Sequence, residues 1–124
     1  MPKVLFVAEG EALADALRAE QLEVLEVPDV DQAFMVAGAF RPDAIVLGLS
    51  QRTNAGLLSA VMLRLDAVTA RTPLICLLDA ETEAAAALAV GCALALPRSI
   101  SGGELAKSVD QLVESRLGGE APRS

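Results

Sequence analysis

Residues 72–96 read TPLICLLDAETEAAAALAVGCALAL. Thr72-Pro73 marks a start, because a proline ring drives the residue before it towards extended geometry. Leu74–Leu78 is then continuously apolar, the pattern of a short strand buried on both faces. Glu81–Val90 is an alanine-rich helix, and Gly91 terminates it. Cys92–Leu96 is a second short apolar strand. A strand, a crossover helix and a second strand predict two parallel strands, since an antiparallel pair needs only a tight hairpin.

The same unit recurs upstream. Lys3–Ala8 (KVLFVA) is an apolar, β-branched strand, and Gly10–Glu20 an amphipathic helix with Leu13 and Leu17 on one side. Leu22–Val27 alternates, so it predicts a half-exposed strand at a sheet edge. Asp29 or Asp31 caps a helix that runs through Phe40 and is closed by Arg41-Pro42. Ala44–Leu47 is again continuously apolar, and Leu49–Ala55 is a polar loop. Gly56 opens a helix whose Leu58, Val61, Met62 and Leu65 form an apolar stripe expected to face the core. Downstream, Ser101-Gly-Gly-Glu104 is a capping box before a last helix carrying Leu105, Val109, Leu112, Val113 and Leu117. These five β/α units predict an α/β fold: a five-stranded parallel sheet in the flavodoxin-like order 2-1-3-4-5, with helices on both faces. The expected domain is 1–117, with 118–124 a flexible tail or the start of a linker. Ligands in this architecture sit at the carboxyl ends of the strands, near Ala8–Gly10, Gly48–Ala55, Leu78–Ala80 and Pro97–Ser99.

Composition narrows the function. The chain has 124 residues, ten Lys+Arg against 17 Asp+Glu, and no histidine. Imidazole bases, His triads and most catalytic zinc sites are therefore excluded. A net charge of −7 with three Phe and no Tyr or Trp argues against nucleic acid, which wants basic patches and aromatic platforms. No apolar run reaches membrane-spanning length and no secretory signal is visible, so a soluble, cytoplasmic chain that does not engage membrane is expected. Cys76 and Cys92 both lie in apolar surroundings and read as buried free thiols. No metal site and no cofactor is expected.

Taken together, the opening KVLFVAEG, the segment Arg41–Leu47, Gly56 eight residues past Gly48, Thr72-Pro73-Leu74-Ile75 and Gly91-Cys92-Ala93 resemble the receiver domain of two-component response regulators. The resemblance spans Lys3 to Leu117 and implies a CheY-like (βα)5 fold. It also implies that the chemistry of that family has been lost. The two acidic residues that hold magnesium in receivers correspond to Ala8 and Glu9. The phosphoacceptor aspartate corresponds to Gly48, the hydroxyl residue to Leu78, the lysine to Arg98 and the aromatic switch residue to Ala95. Gly48 offers no carboxylate nucleophile, and Glu9 alone is a poor magnesium anchor. Arg98 keeps the positive charge in a planar fork, and pairing with Glu9 across the pocket is the expected use of both. Their plainer alternatives are a solvated helix-start glutamate and an arginine pointing to water. Asp79 is expected to cap the following helix. Ser50 and Thr53 read as ordinary loop hydroxyls.

The expectation is thus a pseudo-receiver without enzymatic activity: a phosphorylation-independent module of a two-component or related regulatory pathway, binding a protein partner or a second copy. One alternative is a small-molecule-binding or enzymatic flavodoxin-like domain. It is weakened because Ala8-Glu9-Gly10-Glu11 is acidic where a phosphate site would be Ser/Thr/Gly-rich. Another is a receiver phosphorylated at a non-standard residue. The resemblance points to the fourth helix, fifth strand and fifth helix as the contact surface, through Ala85, Ala86, Ala89 and Leu94. A helix apolar nearly all round is either buried or an interface.

Overall fold

The structure, a computed structural model, describes residues 2–8, 12–48 and 55–119. Five strands alternate with five helices: β1 (Lys3–Val7), α1 (Ala12–Ala19), β2 (Glu23–Val27), α2 (Val30–Phe40), β3 (Ala44–Leu47), α3 (Ala55–Leu65), β4 (Leu74–Leu78), α4 (Ala84–Ala89), β5 (Leu94–Pro97) and α5 (Gly102–Gly119). All neighbouring strands are parallel and the order is β2-β1-β3-β4-β5, the flavodoxin-like order expected. β2 is the half-exposed edge that its alternation predicts.

The pleat divides the apolar side chains between two cores. Leu5, Val7, Ile45, Leu47, Leu74 and Cys76 face one side, with Ala33 and Ala37 of α2, Ala60 and Leu63 of α3 and Ala87 of α4. Val4, Phe6, Ala44, Val46, Ile75 and Leu77 face the other, against Ala14 and Leu17 of α1 and Leu105 and Val109 of α5. The central strands are therefore apolar at every position because both of their faces are covered.

Local signals explain most of the boundaries. Asp29 is the cap of α2, its Oδ1 accepting from the Gln32 amide at 2.9 Å, and Arg41 closes that helix in left-handed geometry (φ 54°). Ser101 Oγ accepts from the Glu104 amide at 3.1 Å to start α5. Gly91, at φ +104°, ends α4 in a Schellman turn: its amide donates to Leu88 O and the Cys92 amide to Ala87 O.

Three expectations need correction. The helix after β4 is not one piece: Glu81–Glu83 is a 3₁₀ turn, and α4 proper begins at Ala84. β5 runs from Leu94 to Pro97, displaced from Cys92–Leu96, because the Schellman turn uses Cys92. Of the α3 stripe only the middle is half-buried, at Val61 and Met62, while Leu58 is 61% and Leu65 80% exposed. Ala60 and Leu63, three apart, face the sheet instead. A helix apolar on two sides has two candidate core faces, and the side with the small Ala60 is the one that lies against the sheet. α5 continues to Gly119; residues 120–124 of the expected tail lie outside the described residues.

Candidate functional site at the carboxyl rim of the sheet

Parallel strands all end on one side, and the main-chain ladder carries four of the singled-out positions there. The Ala8 amide donates to Val27 O, the Gly48 amide to Val7 O at 3.0 Å, and the Arg98 amide to Leu78 O at 2.9 Å. Ala8, Gly48, Leu78 and Arg98 therefore meet at the rim. Glu9, Gly10, Ser50 and Thr53 lie outside the described residues, so the expected Glu9–Arg98 pairing does too.

Gly48 is closely surrounded. A Cβ on it would stand 3.0 Å from Ala8 Cβ, 3.2 Å from the ring edge of Phe6 and 3.7 Å from Arg98 Nη1. The first two contacts are tighter than side chains ordinarily make, and both neighbours belong to the packed layer against α1 and α5. The position that corresponds to a carboxylate in the receiver pattern is thus lined by a methyl group, a ring and a guanidinium.

Arg98 laces the rim. Its Nη1 donates to the Gly48 carbonyl, and its Nε donates to Asp79 Oδ1 at 2.8 Å. Both members of the ion pair are about three-quarters buried, with side-chain exposures of 26% and 25%. One planar fork from β5 thereby reaches the ends of β3 and β4 together, a geometry that an ammonium point charge would not reproduce.

Asp79 is the site residue that the sequence reading misplaced. It does not cap the helix that follows. The N-cap of the turn is Ala80, and Glu83 reaches back before it, its Oε1 accepting from the amides of both Asp79 and Ala80 at 2.9 and 3.0 Å. The signal was present in Glu83 standing three residues after Ala80, the reciprocal half of a capping box. The Asp79 carboxylate pairs with Arg98.

Leu78 is 5% exposed and belongs to the core under α4. Ala95 packs against the same core, and beside it opens a cleft of about 580 Å³ between the ends of β4 and β5, bordered by Ala84, Ala95, Pro97 and the Asp79–Arg98 pair. On α4, Ala85, Ala86, Leu88 and Ala89 are exposed while Ala87 is buried, so three of the expected interface residues share one outer face. Leu94 is not with them: it is partly buried and packs on the α1/α5 side of the sheet.

The described residues contain no group of three or more acidic, His or Cys side chains able to hold a metal, and the Asp79 carboxylate at the rim is paired with Arg98. Among them, no helix is long and apolar enough to cross a membrane.

No protein-family model matches the chain, and no curated protein sequence matches it. Solved structures do. The receiver domain of Francisella response regulator 1452 superposes with a TM-score of 0.77 at 21% identity, covering 94% of this chain and 99% of that one. CheY4 of Vibrio cholerae gives 0.76 at 20%, covering 90% and 98%. The receiver domain of the sensor histidine kinase PA1611 of Pseudomonas aeruginosa gives 0.77 at 22%, covering 92% and 98%; that structure has a magnesium ion in its active-site cleft. At these identities the likeness is one of fold.

Proposed function

We propose that the chain is a receiver-like signalling module that works without phosphorylation, by holding a protein partner, and that it is not an enzyme. The observation that carries this reading is the closure around Gly48. The position has no nucleophile, a side chain there would crowd Ala8 and Phe6, and the guanidinium of Arg98 lies on its carbonyl. Leu78 cannot donate a hydrogen bond to a phosphoryl oxygen, and Ala95 has no ring to swing. A surface without those moving parts stays in one state, so partner binding is independent of phosphodonors. The outer face of α4, with Ala85, Ala86, Leu88 and Ala89, is the proposed contact surface, and a cytoplasmic location goes with such a role.

Incubation with acetyl phosphate and magnesium, followed by intact mass, tests this directly. The expected result is an unchanged mass. A stable adduct of about 80 Da on any carboxylate would overturn the reading and favour the non-standard acceptor instead. A second reading is supported by the cleft beside Ala95, whose volume is in the range of small-molecule sites. A metabolite that raises the melting temperature with the logarithm of its concentration above Kd would support that one.

A further inference from the structure

We infer that Cys76 and Cys92 are a modification site: a dithiol that an oxidant of the peroxide class closes into an intramolecular disulfide. This rests on neither the rim nor the α4 surface. The two sulfurs stand 2.6 Å apart, both in the core beneath α4, and both are free thiols. Closing to a disulfide asks for a further approach of only about 0.5 Å. The backbones that deliver the sulfurs are held. Cys76 is paired inside β4, the Cys92 amide is bound to Ala87 O by the Gly91 turn, and the next amide, that of Ala93, donates to Leu74 O at 2.8 Å. Proximity is therefore built into the sheet. These are also the only two cysteines in the chain, so no other pairing within it competes.

The pair is asymmetric. Cys92 is 5% exposed and Cys76 fully buried. The hydrogen bond from Cys76 lowers the Cys92 thiol, burial opposes this, and the charge of Arg64 adds to the lowering; the same hydrogen bond and burial push Cys76 up. Cys92 is thus the first nucleophile. Its thiolate sulfur attacks one peroxide oxygen, the O–O bond breaks, and the departing hydroxide takes up the thiol's proton as water, leaving a sulfenic acid. The Cys76 sulfur then attacks the Cys92 sulfur. The S–O bond breaks, and the second oxygen leaves as water with the Cys76 proton. Two thiols are oxidised and one peroxide is reduced to two waters. The product ties β4 to the entry of β5 across a span of 16 residues that contains α4.

The test uses the reduced full chain. After hydrogen peroxide and a catalase quench, the protein is unfolded in guanidinium with iodoacetamide and weighed. The expected result is that alkylation falls from two groups to none, with a mass lower by about 2 Da that dithiothreitol reverses. Two alkylatable thiols after treatment, oxygen retained on a cysteine, or a covalent dimer on a non-reducing gel would each overturn the proposal. So would closure no faster in the folded chain than in guanidinium, since folded proximity is the argument. Cys76→Ser, which keeps a hydrogen-bond donor beside Cys92, should trap a dimedone-reactive sulfenic acid on Cys92 faster than Cys92→Ser traps one on Cys76; the reverse would overturn the assigned order. The wild-type measurement stands even where a variant fails to fold.

Discussion

At Gly48 a single hydrogen stands where another residue would have a side chain, and the proposed independence from phosphorylation turns on it. Phosphoryl transfer needs a carboxylate, yet supplying one is not a matter of adding atoms into open space. Ala8 Cβ is too close to its own backbone to yield, and Phe6 is locked in the core. Gly48→Ala is therefore expected to lose about 1–3 kcal/mol of stability. The measurement is a lower urea midpoint with an unchanged slope. An Ala variant as stable as wild type would show that the rim is roomier than these distances imply. That Gly48, Leu78 and Ala95 carry no carboxylate, hydroxyl or ring is legible in the sequence, wherever they sit. The Arg98–Asp79 pair is not. The residues are 19 positions apart, and only the parallel pairing of β4 with β5 brings their ends together.

Strands were read more faithfully than helices. A four- or five-residue apolar run such as Ala44–Leu47 or Leu74–Leu78 has one explanation in an alternating β/α chain, whichever way its side chains point. A helix has to choose a face, and α3 offered two. The stripe of Leu58 and Leu65 looked like a core by spacing, while the sheet accepted Ala60 and Leu63. α5 shows how tightly that choice is made elsewhere. A Cβ on Gly102 would fall 2.2 Å from Ala16 Cβ and 3.3 Å from the Ala16 Cα, so α1 and α5 meet there without room for a methyl group. Gly102→Ala is expected to destabilise by about 1–3 kcal/mol, although alanine is the better helix former. Ala16→Gly in the same chain should recover part of the loss, and additive losses in that double-mutant cycle would contradict the contact. On α4, Ala86→Glu or Ala89→Glu adds charge to the exposed face at small cost to the fold. Each should weaken partner capture, or lower the mass seen by light scattering if the partner is a second copy. Unchanged binding by well-folded variants would move the interface to another surface.

The molecule as a whole keeps apolar side chains at its surface under a strong negative charge. Met35, Leu58, Leu65, Val68 and Leu88 are all more than half exposed, and the net charge is −7 with an isoelectric point near 4.5. Like charge holds such molecules apart at neutral pH and vanishes at the isoelectric point. Light scattering should therefore rise to a maximum near pH 4.5 and fall again on the acid side. Leu65→Glu should flatten that maximum, and a maximum of the same height would place the sticking surface away from α3. The lacing of the rim by Arg98 has a further consequence, in the order of assembly. Its bond to Gly48 joins residues 50 positions apart, and the arginine arrives only with the last strand. Contacts that distant wait on the chain closing a long loop. β1 and β3 can pair through their own ladder while the Gly48 carbonyl is still open to water. The rim is sealed when β5 docks, so the lacing of Gly48 by Arg98 is among the last parts of the fold to form.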